Sequence, residues 1–108
     1  MRGVFFGLLL TRALLGVTFD DLVEERVAPE ALEGRRVSIE GQLELSTCPE
    51  ESESCTIVIS RRLPWATAII TLHIHPEHGW FVRRKRVGDP VQAGCFYQSL
   101  FEYQQCVF

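Results

Sequence analysis

Residues 34–45, GRRVSIEGQLEL, constrain this chain more than any other stretch. Val37, Ile39, Leu43 and Leu45 alternate with Ser38, Glu40, Gln42 and Glu44, the period of a strand with one dry face and one wet face. Gly41 interrupts the apolar row, where a long strand must bend sharply. A bent first strand followed by further short strands is how a small closed barrel begins.

Further strands do follow. Residues 56–60 (TIVIS) make the second and residues 66–75 (ATAIITLHIH) the third. On the third, Ala68, Ile70, Leu72 and Ile74 form the core face, with Thr67, Ile69, Thr71, His73 and His75 opposite. The fourth begins near Pro90 and places Val91, Ala93, Cys95 and Tyr97 together; residues 103–108 form the fifth, after a turn centred between Leu100 and Phe101. The polar stretch 46–54 (STCPEESES) reads as an exposed loop, residues 61–65 (RRLPW) as a turn, and residues 76–89 as a basic, irregular connection without an amphipathic helix. Ahead of the first strand, Thr18 suits a helix cap, with Asp20 and Asp21 where the positive end of the helix dipole favours acids. Phe19, Leu22, Val23 and Val27 supply an apolar stripe, and Pro29 and Gly34 bound a second short turn. Such helical pieces would cover an open end of the barrel.

Five short strands with an extended segment between the third and fourth suit an all-β, five-stranded OB-fold-like Greek-key barrel with a short N-terminal helical segment. Two motifs carry a family resemblance. PEALEGRRVSIEG (29–41) resembles the helix and Gly-(Lys/Arg)-x-Val-x-Val-x-Gly opening of small bacterial OB-fold domains, and VGDPVQAG (87–94) is similar to their fourth-strand motif. The resemblance spans about residue 18 to residue 108. It implies the barrel, and a kinship that includes tRNA-anticodon-binding-like domains, exported domains and lipoproteins. The presumed binding strands lack the interleaved aromatic and basic residues that stack and hold bases. No cysteine precedes Cys48, so the lipid-anchored type is not expected.

With 14 acidic and 11 basic residues, the net charge of −3 argues against a generic nucleic-acid binder. The charge is uneven: residues 1–55 hold 11 acids and 5 bases, residues 56–108 hold 3 acids and 6 bases. Residues 1–16 read as a signal peptide or hydrophobic leader, with Arg2 before the apolar run GVFFGLLL and Arg12 interrupting it; a packed element or a membrane-associated anchor are the alternatives. The run is too short to span a bilayer comfortably. Residues 17–108 form the expected domain. Four cysteines without a Cys-x-x-Cys pair exclude common zinc and thioredoxin motifs. Three disulfide pairings are open in principle, as are four free thiols. Cys48–Cys55 and Cys95–Cys106 are favoured, the first closing an acidic loop for about 2.5 kcal/mol and the second crossing two neighbouring strands. Leader and disulfides together point to a periplasmic or secreted protein.

Three clusters carry recognisable chemistry. His73 and His75 share a strand face and, with His78, form a candidate metal site; solvent-facing histidines at a strand end are the plainer reading. Arg83, Arg84, Lys85 and Arg86 follow Trp80 and Phe81, and Arg61 and Arg62 extend the basic patch if the loops converge. Trp65 and the pair Leu100 and Phe101 supply apolar contact points. No nucleophile elbow or phosphate loop occurs, so no catalytic residue and no cofactor is expected. The function that follows is a non-catalytic exported module that binds a protein partner or stabilises a larger assembly, through Trp65, Trp80, Phe81, the 83–86 cations, Leu100 and Phe101. The alternative is an oligonucleotide- or oligosaccharide-binding domain using Arg61, Arg62, Trp80 and the same cations.

Overall fold

The computed structural model describes residues 16–48 and 55–108. Residues 1–15 of the leader and residues 49–54 of the acidic loop lie outside the described residues. The elements are β1 (Val17–Thr18), α1 (Phe19–Val23), a 3-10 turn (Pro29–Leu32), β2 (Arg36–Thr47), β3 (Cys55–Arg62), β4 (Thr67–Ile74), a second 3-10 turn (Pro76–His78), α2 (Gly79–Arg83), β5 (Pro90–Ser99) and β6 (Glu102–Val107).

The five long strands hydrogen-bond in the order β2-β3-β4-β6-β5, and β2 closes the ring against β5. All these pairings are antiparallel except β4 with β6. This is the expected OB-fold-like barrel, with β1 as an extra two-residue strand lying parallel to β2 at Val37 and Ser38. Closure depends on the length of β2. Its first half pairs with β5, from Arg36 opposite Phe96 to Gln42 opposite Pro90, and its second half pairs with β3 from Gln42 onward. The bend between these halves falls at Gly41. A Cβ placed there would meet the Ser60 carbonyl oxygen at 2.5 Å, so close approach by β3 leaves no room for a side chain.

The inward row follows the sequence pattern, with Val37, Ile39, Leu43, Ile57, Ile59, Ala68, Ile70, Leu72, Ile74, Val91, Ala93 and Cys95 all buried. Leu45 departs from it. The β2–β3 register shifts between Leu43 and Leu45, so Glu44 is a bulged residue and Leu45 turns outward to pair with Val58, 57% exposed. A bulge changes strand parity, and alternation in one strand alone does not reveal it. Tyr103 fills the interior from β6, and its buried hydroxyl has no hydrogen-bond partner among the described residues. Tyr103→Phe is therefore expected to raise stability by about 1 kcal/mol, because it removes an unsatisfied buried polar group while keeping the ring. Denaturant titration of both proteins checks this.

Burial also pushes the Tyr103 pKa well above its ordinary value. The neutral phenol is favoured in the fold, so its contribution is fully present below the unfolded value near 10 and is lost as pH rises above it. Alkaline unfolding should therefore be shallower in Tyr103→Phe than in the parent, as read by thermal melts across that range.

At the N-terminal side, Thr18 and Asp21 form a reciprocal capping box. The Asp21 amide donates to Thr18 Oγ1 at 3.2 Å, and the Thr18 amide donates to Asp21 Oδ2 at 3.0 Å. The cap aims Phe19 and Leu22 into the core, while Val23 and Val27 pack at its margin. Thr18→Ala should cost about 1 kcal/mol, measurable as a lower denaturation midpoint without change in slope.

Residues 76–89 are more regular than expected, with a 3-10 turn leading into the single-turn helix α2. One helical turn is too short to display a period, so the sequence pattern misses it. Tertiary packing supports it instead: Val82 is buried in the barrel core. Both expected cysteine pairs are bonded, Cys48 with Cys55 and Cys95 with Cys106, with Cα atoms 4.3 and 4.2 Å apart. The second pair lies inside the barrel, where Gln105, at φ 48, marks an irregularity in β6 opposite Cys95. Among the described residues no helix is long and apolar enough to cross a membrane.

Candidate functional site

The feature best suited to hold a ligand is an open groove where β2 and β3 part company. Glu40, Gly41 and Gln42 of β2, Ser60, Arg61 and Arg62 of β3, and Pro90 and Gln92 of β5 line it, along with Phe81, Lys85 and Phe108. Gly41 creates the divergence. Beyond the Gln42–Ser60 pair, β2 follows β5 while β3 follows β4. The groove is thus a product of the same bend that closes the barrel.

Aromatic rings gather along it. Phe81 and Phe108 stack with centroids 4.8 Å apart, and Trp80 meets Phe81 edge-on at 5.7 Å. Two cations lie on these rings: Lys85 Nζ is 4.9 Å from the Phe81 centroid, and the Arg84 guanidinium is 5.6 Å from that of Trp80. Lys85 also donates to the Pro90 carbonyl at 3.2 Å, which fixes it beside the start of β5. Phe108 is held from below, its amide donating to His78 Nδ1 at 3.3 Å.

The two arginines at the end of β3 have different situations. Strand β3 extends through both, so they form part of the barrel rather than of a turn. Arg61 donates to Asp20 Oδ2 of α1 at 2.8 Å and lies 3.9 Å from Glu40. The hydrogen bond it donates to Asp20 is the largest influence on Arg61 and drives its pKa still higher, so its charge is fixed and internally answered. Arg62, one residue on, is exposed. Arg61 therefore ties α1 to the barrel, and Arg62 is the cation that β3 presents to the groove.

The remaining candidates are dispersed. Trp65 is 73% exposed in the turn between β3 and β4, and it does not line the groove. Leu100 packs against the core, and Phe101 lies 6.3 Å from Phe19 while its carbonyl accepts from the Thr71 amide, so this turn helps seat α1. The three histidines have separate engagements. His73 bonds Glu102 through Nε2 at 2.7 Å and Thr56 through Nδ1 at 3.3 Å, linking β3, β4 and β6 on the outer surface. His75 Nδ1 accepts from the Glu77 amide at the second 3-10 turn, and His78 accepts from Phe108. Among the described residues, no group of three His, Cys, Asp or Glu is placed to hold a metal ion.

Of the residues singled out from the sequence, Arg61, Arg62, Phe81 and Lys85 line the groove, together with Phe108, Gln42 and Gln92, to which the sequence pattern gave no binding role. Alternation does place Gln42 on the wet face. Nothing local to Phe108 shows that it reaches Phe81, twenty-seven positions away. The chain matches no family model, no curated protein and no solved structure.

Proposed function

We propose that this chain is a non-catalytic, exported OB-fold module that holds a protein partner in the groove between β2 and β3. One observation carries the choice of partner class. The two rings that line the groove are already engaged: Phe81 stacks on Phe108 and carries Lys85. Base or sugar recognition by stacking needs an uncovered ring face. A protein partner can instead use ring edges, exposed cations and the strand backbone.

Export is supported by two further features. Two disulfides are compatible with an oxidising extracellular environment, and the apolar leader has the order of a signal peptide. Intact mass before and after reduction, on protein recovered from its source cells, is expected to show a shortened chain that gains four hydrogens. A full-length, fully reduced chain would refute export.

The partner reading is tested with a photo-crosslinking residue at Gln92, which is exposed and lines the groove. A crosslink to a protein, lost in the Arg62→Glu/Lys85→Glu variant while the melting temperature is kept, is the expected result. Crosslinking to nucleic acid or glycan alone would sink the reading.

A further inference from the structure

Resting on that reading, we infer that the segment of the partner held in the groove is an extended and acidic stretch of polypeptide. The groove's sign is opposite to the chain's. Its lining carries Arg61, Arg62 and Lys85 against one acid, Glu40, in a protein with a net charge of −3. Arg61 is answered by Asp20 and approached by Glu40, so among the described residues the lining cations without an ion-pair partner are Arg62, from β3, and Lys85, which follows α2. Arg84, held over Trp80, adds a further positive charge beside α2. Two separated cations suit carboxylates spaced along a chain, and opposite charges at such a site favour the correct partner and speed its arrival.

The backbone supports an extended ligand. Glu40 and Gly41 pair with β5 on one side, and Arg61 and Arg62 pair with β4 on one side. Among the described residues, neither pair has a strand partner on its other side; at Gly41 itself the Ser60 carbonyl oxygen closes the approach, so the free edges are at Glu40 on β2 and at Arg61 and Arg62 on β3. Backbone groups along a strand point alternately to its two sides, so each edge leaves N–H and C=O groups directed at the gap. An incoming strand can satisfy them, which a nucleic acid or a glycan does less well.

The test uses the full chain and four probes at low salt: a short alternating Glu–Thr peptide, its Gln–Thr counterpart, oligo-dT of similar length and a heparin oligosaccharide. Binding is followed by amide chemical shifts. The Glu–Thr peptide is expected to bind about tenfold tighter than Gln–Thr, from several weak charge contacts. Its shifts should fall on residues 39–42 and 60–62, weaken with salt and disappear in Arg62→Glu/Lys85→Glu. Equal binding of the two peptides at these residues would overturn the acidic assignment and leave the protein-partner reading standing. Oligo-dT or heparin binding there more tightly than either peptide would overturn both, as would no probe binding at all. Shifts by the Glu–Thr peptide outside the groove would also overturn the inference.

Discussion

Replacing Cys95 and Cys106 together by alanine is expected to destabilise the protein by about 3 kcal/mol or more. The bond closes an eleven-residue separation across the β5–β6 hairpin, and the loop-entropy relation gives about 3 kcal/mol for it. Both sulfurs are completely buried, so their loss also leaves a void among the core side chains. For a domain of this size each kcal/mol moves the melting temperature by about 4–8 °C, and calorimetry should show a fall of at least about 12 °C. The Cys48–Cys55 bond closes a seven-residue separation, and Cys48 is only half-buried at the barrel margin. Cys48→Ala/Cys55→Ala should therefore cost less. Equal effects of the two double variants would show that burial of the inner bridge adds nothing.

Gly41→Val carries the second large effect, about 3 kcal/mol, from overpacking against backbone. The first atom that any side chain adds lands 2.5 Å from the Ser60 carbonyl oxygen, and Ile59 Cδ1 lies 3.1 Å away. The carbonyl belongs to a strand paired on both sides and cannot move aside as a flexible side chain would. Gly34 provides the contrast. It has φ of 72 and open space around its Cα, so Gly34→Ala meets only the cost of a left-handed backbone, about 1 kcal/mol. Urea denaturation of the two variants separates crowding from dihedral strain. A Gly41→Val protein as stable as Gly34→Ala would contradict the close approach of β2 and β3.

Legibility in the sequence followed the range of the interactions involved. The bend at Gly41, the core faces of β4 and β5, the cap at Thr18 and the turn at Leu100 and Phe101 are all local patterns. Both disulfides could be ranked because Cys95 and Cys106 stand at equal distances from that turn. The outward turn of Leu45 was hidden, since a bulge depends on how β3 pairs and leaves alternation in β2 unchanged. The helix α2 was hidden because five residues are too few for a period.

The candidate site was legible as residue types and illegible as an arrangement. A run of four cations beside two aromatics reads as a solvated loop before it reads as a phosphate grip. Arg61 and Arg62 look equivalent in sequence. Only the long-range contact with Asp20 distinguishes the arginine that braces the fold from the one that faces the groove. The same holds for Phe108, whose stack on Phe81 needs the barrel to be closed.

Closure of the barrel has a kinetic consequence. The β2–β5 seam pairs residues from 48 positions apart (Gln42 with Pro90) to 60 positions apart (Arg36 with Phe96), and so cannot form until the chain between them has been brought round. The β3–β4 and β5–β6 hairpins, in contrast, need only short loops. Chain entropy delays distant pairings, and barrels dominated by them fold in milliseconds to seconds. The hairpins should therefore form early and the β2–β5 seam late. Until it forms, the apolar inner row of β2 faces water, which makes the unsealed barrel, rather than the finished one, the species most prone to associate with other chains.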